Sequence, residues 1–123
     1  MKALCLLAAL AADPEILLKE AIRLHQQGQP AAAIPKYEAY LAERPKNPLA
    51  LSNLGAALAA AGRYQDAAAR YRAALALAEN PAVRLNLGLA LYKQVLLEEA
   101  VEEFLRVRQA QPENRQAALL LAD

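Results

Sequence analysis

Residues 47–81 read NPLALSNLGAALAAAGRYQDAAARYRAALALAENP, and this stretch decides the fold. Asn47 has the side chain of a helix N-cap, which accepts an orphan backbone N–H of the first turn. Pro48 follows with a preset φ and needs no N–H partner there. Leu51, Leu54, Gly55 and Leu58 then recur at i, i+3, i+4 and i+7, one face of a helix. Gly62 marks the stop, where a residue must turn left-handed. A second helix runs over about Gln65–Ala78 and carries Ala67 and Tyr71. Asn80-Pro81 then opens the same sentence again.

The pattern occurs three times. Asp13-Pro14, Asn47-Pro48 and Asn80-Pro81 lie 34 and then 33 residues apart. Ala33, Ala67 and Ala100 keep that spacing, as do Tyr37, Tyr71 and Phe104. A fixed period of this length means stacked supersecondary units, each too small to bury its own apolar face. The units cover about 14–47, 48–80 and 81–114, and a final helix over 115–123 opens at Asn114-Arg115. Each unit has a first (A) helix and a second (B) helix, the other B helices spanning about Ala31–Arg44 and Glu98–Gln111. Small residues in the middle of each A helix (Ala21, Gly55, Gly88) let the B helix return closely. Pro35 implies a late start or slight kink in the first B helix, since a deeper proline costs roughly 3 kcal/mol. Val95 stands where Gly28 and Gly62 stand. A β-branched residue resists positive φ, so a modified turn is expected there.

Composition narrows the function. The 123-residue chain is one domain's worth, 57% hydrophobic and 22% charged, with a net charge of +1. That is neither a disordered chain nor a nucleic-acid binder by bulk charge. Cys5 and His25 each stand alone, so no internal disulfide and no zinc site is expected. No cofactor is implied. Nucleophilic catalysis needs a nucleophile, a base and an orienting group within reach, and this sequence offers no such set, so an enzyme is not expected.

Residues 1–12 form an apolar segment with Lys2 ahead of it and a small-x-small Ala9-Leu10-Ala11. It reads as a short secretory signal or as a capping helix, and it is too short to span a bilayer. Export follows from the first alternative and a cytoplasmic location from the second.

Asn53-Leu54-Gly55, Leu58, Gly62, Tyr64, Ala67, Tyr71 and Ala74 together resemble a full tetratricopeptide repeat. Asn86-Leu87-Gly88, Leu91, Ala100, Phe104 and Pro112 resemble a second, and Ala21, Leu24, Gly28, Ala33, Tyr37 and Pro45 a degenerate first. The aromatic residue common early in the A helix is replaced by Leu17, Leu51 and Arg84. The resemblance implies an all-α fold, a right-handed α-α superhelix of antiparallel helix pairs, whose concave side is lined by A helices. It also implies a protein-interaction scaffold with a protein or peptide partner.

The exposed side of the A helices follows from the same period: Leu18, Ile22 and His25; Ser52, Ala56 and Ala59; Leu85, Leu89 and Tyr92. Glu15, Leu49 and Ala82 edge it, and Asn53 counts among the groove residues. This face is unusually apolar, which suits a hydrophobic peptide or an amphipathic helix laid in a groove. Some members of the family hold a peptide carboxylate with a Lys, Asn and Arg clamp. Here Asn53 fits that clamp, but Leu18, Ile22, Ala82 and Asn86 fill its other columns. Asn53 and Asn86 read instead as structural residues bonded to neighbouring backbone. Glu102 is placed to pair with Arg106 at i+4. The last helix ends in Leu119, Leu120 and Leu121, apolar on several sides. A solenoid's last helix needs a polar outer face, so this end implies a longer array or self-association as a homodimer. An envelope or secretion assembly subunit is the alternative function.

Overall fold

A computed structural model of the chain describes residues 13–122. The apolar segment 1–12, with Cys5 and the choice between signal and cap, lies outside the described residues. Among the described residues seven helices follow one another: α1 (Pro14–Gln26), α2 (Pro30–Glu43), α3 (Pro48–Ala60), α4 (Tyr64–Leu77), α5 (Pro81–Lys93), α6 (Leu97–Ala110) and α7 (Arg115–Leu121). No strand occurs among the described residues. Helices α1, α3 and α5 are the A helices and α2, α4 and α6 the B helices.

Every A helix starts on the cap that the sequence specifies. The Asp13 carboxylate accepts from the Glu15 N–H at 3.0 Å and the Asn47 carbonyl from Ala50 at 3.1 Å. Asn80 accepts from Ala82 at 2.9 Å, and Asn114 from Ala117 at 2.9 Å even without a following proline. Pro35 produces no late start. Helix α2 begins at Pro30 and runs through Pro35. Ala31 and Pro35 are both exposed, so the Ala31 carbonyl that loses its helical donor faces water.

The three A-to-B turns are alike, contrary to the expectation for Val95. Gly28 has φ +76°, Gly62 +81° and Val95 +63°. In each turn two N–H groups close back on the A helix. Gly28 donates to His25 and Gln29 to Leu24; Gly62 donates to Ala59 and Arg63 to Leu58; Val95 donates to Tyr92 and Leu96 to Leu91. This is the Schellman closure, which satisfies carbonyls the helix end leaves open. The hydrogen bonds hold Val95 in a left-handed conformation that disfavours its branched side chain by about 1–2 kcal/mol.

Inside each unit a ring lies against a glycine. A Cβ built on Gly55 would stand 2.7 Å from Tyr71 Cε1, and one on Gly88 would overlap the Phe104 ring, with Cδ1 at 2.8 Å. Tyr71 and Phe104 are 3% and 2% exposed, so neither ring has room to retreat. The core continues between units through Ala50, Leu54 and Ala57 of α3 and Val83, Leu87 and Ala90 of α5.

Helices α1 and α3 touch one another, and so do α3 and α5, while the B helices meet each other weakly at most. Units whose A helices are closer together than their B helices curve toward the A side. That curvature makes the open side of α1, α3 and α5 the inner surface.

Candidate functional site

The inner surface is assembled from one helical stripe per unit. Leu18, Ile22, His25, Ser52, Asn53, Ala56 and Leu89 are half-buried along it. Leu49 and Tyr92 stand out at 59% and 53% exposure. Leu85 departs from the expectation. It is 7% exposed and belongs to the core. At 100° per residue it lies one turn before Gly88, on the edge of the packing face, and the core takes it in.

The polar groups on this surface are arranged differently from the sequence reading. Among the described residues neither Asn53 nor Asn86 makes a side-chain hydrogen bond, so neither is tied to neighbouring backbone as expected. Asn86 is exposed and Asn53 half-buried, leaving two carboxamides with donors and acceptors open to a ligand. Ser52 is committed: its hydroxyl donates to the Leu49 carbonyl at 3.0 Å. His25 is also committed. Its Nδ1 lies 3.4 Å from the Tyr37 hydroxyl and the two rings meet edge to face, with centroids 6.2 Å apart. Burial raises the Tyr37 pKa above the ordinary phenol range, so this phenol stays neutral near pH 7.

A depression between the second and third units is lined by Leu49 and Ser52 of α3, Ala74 of α4, and Ala78, Asn80 and Val83. At the far end, Leu119 is 72% exposed, while Leu120 and Leu121 pack partly against the core.

Sequence reasoning passed over Arg84, which occupies the column of Leu17 and Leu51. Its guanidinium binds Glu79 through two N–H groups at 2.7 and 2.6 Å, and Glu103 at 2.6 Å. The pair ties the loop before α5 to α6. The Arg84 hydrogen bonds hold the Glu79 carboxyl below its ordinary pKa, and Glu79 in turn raises that of Arg84. Arg106 joins through Glu103 at 3.5 Å, rather than through Glu102 as the i+4 spacing implied. The available signal was an Arg in an apolar column with Glu79 five residues ahead. No cluster of metal-ligating side chains and no helix long and apolar enough to cross a membrane occurs among the described residues.

A family model described as tetratricopeptide repeat matches residues 3–48, 18–79 and 53–118. No curated protein matches the sequence. Among solved structures, the first repeat domain of Spaghetti (RPAP3), bound to the HSP90 peptide SRMEEVD, has a TM-score of 0.82 at 24% identity, covering 89% of this chain and 87% of that one. The Arabidopsis OM64 repeat domain gives 0.82 at 20% identity, covering 89% and 91%. MamA gives 0.88 at 22% identity, covering 94% of this chain and 68% of that one. At these identities the likeness establishes a shared fold.

Proposed function

The chain belongs to the tetratricopeptide repeat family, and from that premise we propose a protein-interaction scaffold without catalysis of its own, whose A-helix groove takes an apolar or amphipathic peptide segment. The observation that carries this reading is the makeup of the inner surface. Leu18, Ile22, Ala56, Leu89 and the exposed Leu49 and Tyr92 form an apolar floor. Asn53 and Asn86 add carboxamides that have no hydrogen-bond partner among the described residues. An apolar channel with a few open polar groups suits a peptide whose side chains supply affinity and whose backbone sets register.

The RPAP3 neighbour holds an acidic peptide. A similar role is disfavoured here, because a carboxylate ligand needs charge-assisted donors. The columns that would supply them hold Leu18, Ala82 and Asn86, and Ile22 stands in the column of an accompanying Asn. The single imidazole, His25, has its Nδ1 against the Tyr37 hydroxyl.

Capture from an extract of the source organism tests the groove, with wild type beside Leu89→Glu plus Tyr92→Ala. Loss of the wild-type partners from a folded double variant supports the reading; recovery of the same partners ends it. A second reading, an assembly subunit that self-associates through α7, draws on the 72% exposure of Leu119. Light scattering tests it: a monomer unchanged by Leu120→Glu removes self-association.

A further inference from the structure

We infer that the hollow between the second and third units is a side-chain pocket for a tyrosine of the bound peptide, which rests on the A-helix groove being the peptide site. The hollow has a volume of about 220 Å³. A cavity of about 150 Å³ is enough for a benzene ring, so one phenol fits. Ala74 and Val83, 2% and 8% exposed, form its buried side. Leu49 and Ser52 line it too and belong to the groove surface, so the hollow is continuous with the groove.

The repeat itself shows what suits this place. Three residues after the core ring of each unit stand Tyr40, Ala74 and Val107. Tyr40 is 3% exposed and belongs to the core. Its hydroxyl accepts from Asn47 Nδ2 at 2.7 Å, and Asn47 caps the following A helix. The first junction therefore holds a phenol bonded to the cap. At the second junction Ala74 presents a methyl group in the column of that ring. The link there is one residue shorter, and Asn80 still caps α5, accepting from the Ala82 N–H at 2.9 Å.

The cap carboxamides mark the same difference. Asn47 Nδ2 has the Tyr40 hydroxyl, and Asn114 Nδ2 has Gln111 Oε1 at 2.9 Å. Asn80 Nδ2 has no partner among the described residues. Glu79 also lines the hollow, but Arg84 already holds its carboxylate through two N–H groups. Ser52 donates to the Leu49 carbonyl. The polar group left to a ligand is thus an N–H donor beside an apolar hollow of one ring's size. A tyrosine hydroxyl accepts that bond, as Tyr40 does at the first junction, whereas phenylalanine fills the space without it.

The probe is N-acetyl-tyrosinamide, compared with N-acetyl-phenylalaninamide, each titrated into the whole chain with amide shifts giving site and affinity. The tyrosine probe is expected to shift residues around Ala74 and Asn80. The phenylalanine probe should bind at least about threefold more weakly, the scale of one neutral hydrogen bond. Asn80→Ser keeps a good helix cap and should erase that preference. Ala74→Tyr supplies the ring from within, so it should raise Tm and abolish binding of both probes. Leu89→Glu plus Tyr92→Ala should leave the tyrosine probe bound as in wild type. Absence of binding, shifts only elsewhere, or equal binding of the two probes would overturn the pocket, and these readouts stand even if Ala74→Tyr does not fold. Undiminished probe binding in a folded Ala74→Tyr would overturn it as well. Partners that the Leu89→Glu plus Tyr92→Ala variant loses and Ala74→Tyr retains in full would leave the groove standing and overturn the pocket; partners lost from both support it.

Discussion

The second and third units are built on one scaffold and present different surfaces. Gly55 against Tyr71 and Gly88 against Phe104 are the same joint, and the turns after α3 and α5 have the same hydrogen bonds. Outside those columns the third unit changes character. Leu51 becomes Arg84, Ala56 becomes Leu89, Ala59 becomes Tyr92 and Gly62 becomes Val95. The substitutions leave the turn after the A helix alone; the first brings in a charge, and the other three add larger apolar side chains. Positions that meet another helix are constrained by contact, whereas positions that meet solvent are free to be selected for a partner.

The strongest way to break the equivalence is at the joint. Gly88→Val places a branched side chain into the Phe104 ring and is expected to destabilise the chain by about 3 kcal/mol in chemical denaturation. Gly88→Ala alone should destabilise by less, and Gly88→Ala with Phe104→Leu should recover part of that loss. Full additivity of those two changes would mean the ring and the glycine do not share a joint.

Making the third unit more like the second at Arg84→Leu removes the tie to Glu79 and Glu103. The Glu103 side chain is 13% exposed, so it loses its principal cation in a poorly solvated place. Destabilisation of about 1–2 kcal/mol at neutral pH is expected, below the range for a fully buried pair because Glu79 remains largely in water. The Glu79 pKa is depressed, so its contribution is present above the ordinary carboxylate pKa and is lost as pH falls through the lowered value. The gap between wild type and Arg84→Leu should therefore narrow on acidification.

The turns provide a reciprocal exchange. Val95→Gly should stabilise by about 1 kcal/mol and Gly62→Val should destabilise by a similar amount, because the shared φ is easy for glycine and strained for valine. Equal effects of the same sign would contradict the equivalence of the two turns.

The smallest difference lies in the rings. Burial pushes the Tyr71 pKa up to about 12 from an ordinary 10.0, while Phe104 has no proton to lose. A raised pKa favours the neutral phenol in the folded chain. That stability is complete below about pH 10 and falls as pH rises toward 12. Tyr71→Phe should shift alkaline unfolding to higher pH with little change at neutral pH.

The legible part of this molecule is its local grammar. Asp13, Asn47, Asn80 and Asn114 cap helices through side chains two or three residues from their targets. Such contacts are decided within one turn, and the small and large residues that meet across a unit repeat often enough to be recognised. The less legible features depend on distant partners or on competition at an edge. Arg84 reaches Glu103 nineteen residues away, and the His25 and Tyr37 rings meet across two helices. Leu85 lies on the boundary between stripe and core, where one turn of periodicity cannot assign it. Val95 looks incompatible with its turn until two backbone hydrogen bonds are seen to hold it there.

The groove itself is open to a direct measurement, photo-crosslinking from two positions of the second unit in the presence of captured partners. One probe replaces Ala56 on the inner stripe of α3, and the other replaces the exposed Ala69 on α4. Binding in the A-helix groove predicts a defined adduct from position 56 that Leu89→Glu removes, and none from position 69. Adducts from position 69 alone, or an adduct from 56 that persists in Leu89→Glu, would contradict it.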